Sequence, residues 1–200
     1  MGSFDAVLCD LDGVLRLWDR RAMTALDLAH GLAGGTLAEA AFAPDRLLPA
    51  ITGAQTDEEW RASIAADLAP ACGSAEAARE LVADWSAVVA DVDREVADLL
   101  VAARERLPVV LVTNATTRLE ADLARLGIAD VVDQVVNSSR VGFAKPDPRI
   151  YRHAAERAGA QPQRCLFVDD TAENVEAARA LGMTGLHYRG AEELRALLAA

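Results

Sequence analysis

Asp10-Leu11-Asp12-Gly13-Val14-Leu15 sets two carboxylates two residues apart, directly after the apolar run that starts at Phe4. On an extended backbone that spacing turns both side chains toward one side. The pair alone is weak, because Asp91-Val92-Asp93 repeats it beside a helix-like stretch, where it reads as charged surface. Company separates the two. Thr113-Asn114 ends the run Val109-Val110-Leu111-Val112, Asp169-Asp170 ends Cys165-Leu166-Phe167-Val168, and Lys145 lies in a loop between Gly142 and Pro146. Brought to one place, the four carboxylates would repel one another unless a divalent cation or a lysine compensated them. Hard oxygen ligands of this kind suit Mg²⁺.

The elements that must position these residues follow from the pattern around them. The apolar runs read as buried strands opening into loops. A further short strand is expected over Val131–Val136 and a weaker one over Thr184–Tyr188. Amphipathic helices are expected over Thr117–Leu126, Pro148–Ala158 and Ala172–Leu181, the first and last closed by Gly127 and Gly182. Asp147 caps the second, with Pro148 in its first turn. Strand and helix alternate from Pro108 onward, the pattern of a doubly wound α/β fold with a parallel sheet and helices on both faces. In such a sheet the ligand site lies at the carboxyl ends of the strands, where the polar clusters fall.

From Leu17 to Asp91 the alternation stops. This Ala-, Leu- and Glu-rich stretch holds all three tryptophans, Trp18, Trp60 and Trp85, and reads as a helical insertion. The expected division is a core of residues 1–15 and 92–200 and a helical domain of 16–91. Thr56 and Glu59 form a capping box, and Pro44, Pro49, Gly53, Pro70 and Gly73 punctuate the remainder into about four helices. The tryptophans are read as anchors of that bundle's core, with one free to face a substrate.

Composition narrows the function. With 200 residues, 52% of them hydrophobic, the chain can bury one core and a small insertion. No uncharged apolar run approaches the ~18 residues of a membrane span. The N-terminus shows neither a signal peptide nor a myristoylation pattern, since Met1-Gly2 leads to Ala6; a cytoplasmic protein is expected. A net charge of −11 disfavours nucleic acid and anionic membrane as partners. Cys9, Cys72 and Cys165 lack disulfide or zinc spacing, and His30, His153 and His187 are scattered, so they read as structural or surface residues.

These four elements, in this order and across essentially the whole chain, resemble the motifs of the haloacid dehalogenase superfamily. Gly142-Phe143-Ala144-Lys145-Pro146-Asp147-Pro148-Arg149-Ile150-Tyr151 and Val168-Asp169-Asp170-Thr171-Ala172-Glu173-Asn174-Val175 carry the likeness most strongly. The insertion after the first motif resembles the family's small helical cap, and the subgroup with the nearest form is that of sugar-phosphate phosphatases and the phosphatase domain of soluble epoxide hydrolases. The resemblance implies a phosphatase in which Asp10 is the nucleophile forming an aspartyl-phosphate, and Asp12 is general acid, then base. Thr113 and the backbone around Asn114 would bind the phosphoryl group, and Lys145 would offset charge on Asp10 and the phosphoryl oxygens. Mg²⁺ would be held by Asp10, the backbone carbonyl of Asp12, and Asp170, with Asp169 either a further ligand or the neighbour that orients one.

Rival chemistry remains on the same scaffold. In metal-independent 2-haloacid dehalogenases the position matching Asp12 is not an acid, so Asp12 and the Asp169-Asp170 pair favour phosphoryl transfer. A phosphomutase would use the same residues. A catalytically silent binding module would be expected to lose Asp10 or Lys145, and both are retained. The expected partner is a small-molecule phosphate ester, with a sugar phosphate as the family's habit; the sequence leaves the oligomeric state open. Substrate selection should fall to the insertion and its hinges, near Arg16–Arg21 and Ala87–Asp93. There Arg16, Arg20 and Arg21 read as solvated surface arginines that could reach an anionic substrate.

Overall fold

The computed structural model describes residues 4–19 and 21–199; Arg20 and the Met1-Gly2 start lie outside them. In chain order the first part contains β1 (Ala6–Cys9), β2 (Arg16–Leu17), α1 (Ala22–Ala29), α2 (Thr36–Phe42), α3 (Pro44–Ile51), α4 (Asp57–Cys72), α5 (Ala75–Ala87) and β3 (Asp91–Val92). The alternating part follows: α6 (Arg94–Arg104), β4 (Val109–Thr113), α7 (Leu119–Leu126), β5 (Gln134–Asn137), α8 (Ser138–Val141), α9 (Pro148–Arg157), β6 (Cys165–Asp169), α10 (Ala172–Arg179), β7 (Thr184–His187) and α11 (Ala191–Ala199).

Five strands form one parallel sheet in the order β5-β4-β1-β6-β7, with Val7 paired to Val109 on one side and to Leu166 on the other. The period of two in a strand sorts its side chains between two cores. Val7, Cys9, Val109, Leu111, Leu166 and Val168 pack on one face under α6, α7 and α11. Ala6, Leu8, Val110, Val112, Cys165 and Phe167 pack on the other under α9 and α10. The sheet is thus covered on both faces, which is why its central strands are continuously apolar. At the edge, the strand expected from Val131 begins only at Gln134. Val131 and Val132 bury themselves in the core from the preceding loop, and the Asp133 carboxylate accepts the Val109 N–H at 2.8 Å, setting where the ladder starts.

The insertion leaves and re-enters through a two-stranded antiparallel neck, Arg16 opposite Val92 and Leu17 opposite Asp91. Its helices pack around a third cluster that includes Leu37, Ile64, Leu68 and Leu81. Five helices stand where about four were expected. Gly31 and Gly35, both with positive φ, separate α1 from α2, and the buried Asp27 carboxylate accepts the Gly35 and Leu37 N–H groups across that turn. Pro49 and Pro70 lie inside α3 and α4 in place of ending them, each giving up one backbone donor. The capping box forms as expected, Thr56 Oγ1 accepting the Glu59 N–H and Glu59 accepting the Thr56 N–H. Of the Asp91/Asp93 pair, Asp91 is exposed, but Asp93 caps α6 by accepting the Val96 N–H.

Candidate active site

Because β1, β4 and β6 run parallel, Asp10, Thr113 and Asp169 reach the same edge of the sheet. All three are buried, as is Lys145. The Lys145 ammonium sits between two carboxylates, 2.7 Å from Asp10 Oδ1 and 2.6 Å from Asp169 Oδ2. Burial works against its charge, but Asp10 and Asp169 more than offset it, and the lysine is held above its ordinary pKa. Burial pushes the Asp10 carboxyl upward, and Lys145 pulls it back. Asp10 Oδ1 also accepts the Leu11 N–H at 2.7 Å. Both contacts fall on one oxygen, and Oδ2 accepts no hydrogen bond among the described residues.

Asp169 is saturated. Besides Lys145 it accepts the Thr171 N–H at 2.8 Å, and Asn174 Nδ2 lies 3.1 Å from each of its oxygens. Asp10, Asp169 and Asp170 each offer a carboxylate oxygen within 4.8 Å of the others. Gly13 makes room for this approach: its φ is +78°, and a Cβ there would stand 2.1 Å from Asp170 Oδ2. A donor set of hard carboxylate oxygens, with a glycine cleared for one of them, fits a small divalent cation such as Mg²⁺.

Asp12 faces a different neighbourhood. Arg16 donates to both its oxygens, at 2.7 and 2.9 Å, and Trp18 Nε1–H donates at 2.7 Å. The expectation of solvated arginines therefore fails at Arg16, which is 6% exposed and has Asp122 3.8 Å away; Arg21 is exposed as expected. Trp18 is 42% exposed and outside the insertion's core, whereas Trp60 is buried in that core and Trp85 packs against it.

The loop after β4 is clamped from two sides. Asn114 accepts the Lys145 N–H at 2.7 Å and donates to the Lys145 carbonyl at 2.9 Å, so its side chain positions the lysine's loop. Ser138 Oγ accepts the Ala115 N–H, and Asn137 donates to the Thr116 carbonyl. Thr113 Oγ1 is buried without a hydrogen-bond partner, a cost that a bound acceptor or donor would remove.

The insertion closes over this edge. Asp57, first in α4, accepts from Thr116 Oγ1 at 2.7 Å and donates its N–H to Thr117 Oγ1 at 2.9 Å. Arg118 donates to the Ser86 carbonyl at 2.9 Å, and a Cβ on Gly53 would stand 2.0 Å from the Ser139 carbonyl oxygen. Between insertion and core lies a cavity of about 400 Å³ to which Asp12 and Asn114 contribute.

The profile of the haloacid dehalogenase-like hydrolases matches residues 4–182. The chain belongs to this family. It is 43% identical over 84 residues to a phosphatase of Mycobacterium tuberculosis, covering 41% of this chain and 39% of that one. It is 35% identical over 85 residues to the fructose-1-phosphate phosphatase YqaB of Escherichia coli, covering 42% and 45%. The aligned stretches thus span less than half the length of these relatives. A family enzyme of Bacteroides thetaiotaomicron, crystallised with magnesium and inorganic phosphate, superposes with a TM-score of 0.75 over 96% of this chain and 98% of its own, at 25% identity.

Sequence reasoning missed Asn174, Asn137, Ser138 and Arg16 as parts of this site. Asn174 carried one signal, its place one turn into a helix after an acidic strand end. Asn137 and Ser138 act through partners remote in sequence, and Arg16, though only four residues from Asp12, is buried by contacts far along the chain. The buried thiols of Cys9 and Cys165 match the expected role as small hydrophobes; burial pushes that of Cys165 up to about 11.

Proposed function

We propose that the chain is a Mg²⁺-dependent phosphatase that hydrolyses a small phosphorylated metabolite through an aspartyl-phosphate on Asp10. The observation that carries this reading is Lys145 bridging Asp10 and Asp169 beside Asp170. A lysine offsets the charge of a nucleophilic carboxylate there without occupying its second oxygen. Asp10 Oδ2 attacks phosphorus, the bond to the leaving oxygen breaks, and Asp12 gives that oxygen its proton. Asp12, now a carboxylate, takes a proton from water as the water attacks phosphorus; inorganic phosphate leaves and Asp10 is restored. Arg16 Nε and Trp18 hold Asp12 by Oδ1, and the transfers run through Oδ2, which parts from Arg16 Nη2 to carry the proton; the Thr113 hydroxyl with the backbone at Asn114 receives the phosphoryl oxygens. Asp10, Asp170 and the Asp12 carbonyl would hold the metal, which neutralises phosphoryl charge when bound. Asp169, already filled by Lys145, Thr171 and Asn174, serves as the neighbour that orients them.

Residues 16–91 act as the cap that covers the phosphoryl site. Asp12 favours phosphoryl transfer over dehalogenation, because a leaving alkoxide needs a proton and a leaving halide does not. Likeness to the fructose-1-phosphate phosphatase is what supports a phosphorylated sugar as substrate. No helix among the described residues is long and apolar enough to cross a membrane, and the acidic balance leaves a cytoplasmic enzyme of small esters as the consistent reading. The test is phosphate release from p-nitrophenyl phosphate with Mg²⁺. Chelator and, separately, Asp10→Asn should each abolish it; activity surviving both treatments rejects the assignment.

A further inference from the structure

The cavity between insertion and core has the volume of a small-molecule pocket, about 400 Å³. Its walls include Trp18, Phe42, Trp60 and Trp85 together with Met23 and Ile51. Trp85 meets Phe42 edge-on at 6.2 Å and Trp60 at 5.5 Å, so these three rings form one continuous surface. Phe42 and Trp18 are 48% and 42% exposed, a large apolar exposure of the kind that marks a binding surface.

Charged groups also line the cavity; apart from Asp19, which accepts the Arg21 N–H near the rim, they are already spent on one another or on nearby polar groups. Arg61 donates to Asp57 at 2.7 Å and to Ser86 Oγ at 2.6 Å. Arg118 is held by Asp122 and the Ser86 carbonyl, Thr116 by Asp57 and Arg16 by Asp12. The Arg61 guanidinium further lies over the Trp85 ring at 4.6 Å. A polyol entering this space would exchange water for aromatic faces and for polar groups with other partners, which costs free energy for each hydroxyl left unpaired. A hydrocarbon skeleton would bring no hydroxyl to leave unpaired and would cover Phe42 and Trp18.

We infer that the leaving group of the substrate is an apolar alcohol, a medium-chain alkyl or cyclic hydrocarbon, seated against Trp18, Phe42 and Trp85 with its phosphate at Asp10. The inference rests on the phosphatase reading and departs from the sugar that likeness to the fructose-1-phosphate phosphatase supports. Asp12, bonded to Trp18, stands where the phosphoryl site meets this wall, so one side chain reaches both the leaving oxygen and the pocket that holds its carbon skeleton.

The test compares kcat/KM with Mg²⁺ for n-octyl phosphate below its micelle concentration, glycerol 3-phosphate and glucose 6-phosphate. All three release primary alkoxides, so differences report on binding the skeleton. The octyl ester should lead by at least about tenfold, the scale set by burying a few methylenes. Phe42→Ala should shrink that lead by about threefold or more, with Met23→Ala as a second variant if the first fails to fold. Glucose 6-phosphate or glycerol 3-phosphate matching or exceeding the octyl ester overturns the apolar pocket and leaves the phosphatase standing. If even p-nitrophenyl phosphate is untouched, the phosphatase reading falls. Tryptophan fluorescence then decides the cavity, since all three tryptophans line it: tighter binding of n-octylphosphonate than of methylphosphonate supports the apolar pocket, and equal binding overturns it.

Discussion

Lys145 and Arg61 are both cations held by carboxylates a short distance apart, yet their surroundings differ in kind. Lys145 is buried between Asp10 and Asp169, all three belonging to the sheet and its loops. Arg61 comes from the insertion, keeps contact with solvent, and shares Asp57 with Thr116 of the core. The strand-end cluster is therefore a fixed part of the folded core, in which losing one partner strands a buried charge. The cavity's polar rim is a docking surface made of separable pieces, in which each contact is worth little alone. On the reading proposed above, the first region carries the chemistry, and the second admits and selects the substrate.

The largest expected effect that would break this contrast is Lys145→Met. Removing one member of a buried ion cluster costs about 3–5 kcal/mol, measured by chemical denaturation of the two proteins. Without the lysine's pull, the burial that raises the Asp10 carboxyl pKa acts unopposed. A carboxyl with a folded pKa above its unfolded value keeps its proton longer in the native state, so raising pH favours unfolding. Asp10 already stands at about 7 with the lysine in place, so the variant's deficit should grow as the pH rises above about 7. A change below about 1 kcal/mol, flat with pH, would mean that the cluster is not a fixed part of the core.

Asp57→Ala sharpens the comparison from the other side. It removes the hydrogen bonds to Thr116 and Arg61 at the start of α4 while leaving the backbone N–H of residue 57 able to reach Thr117. Its expected cost is smaller, about 1–2 kcal/mol, and hydrogen exchange should quicken in the first turn of α4 but not in β1 or β6. Equal quickening in the strands would show that the two regions open as one unit.

The gathering of the strand-end cluster was readable in the sequence because each part is local. Buried parallel strands are continuous apolar runs, and the first polar residue after each run must emerge at the sheet's edge, which is how Asp10, Thr113 and Asp169 declare themselves. Thr56 with Glu59 and Asp147 with Pro148 are likewise signals of four residues or fewer. Arg16 was not readable, because its burial depends on the neck pairing with Val92 and on Asp122, both far along the chain. The same holds for Asp57, whose partner Thr116 lies 59 residues away. Pro49 and Pro70 were read as breaks because proline weakens an isolated helix, but here packing of α3 and α4 in the insertion outweighs one lost backbone bond.

The most direct measurement traps the covalent step. Asp12→Asn removes the group proposed to activate water, while an activated aryl phosphate such as p-nitrophenyl phosphate needs little help from an acid to leave. Mixing that variant with the ester and Mg²⁺, quenching rapidly and mapping peptides should find phosphoryl on Asp10, in near-stoichiometric amount and absent when Asp10 is also changed to Asn. Phosphoryl on another side chain, or undiminished steady turnover by Asp12→Asn with no adduct, would contradict the account.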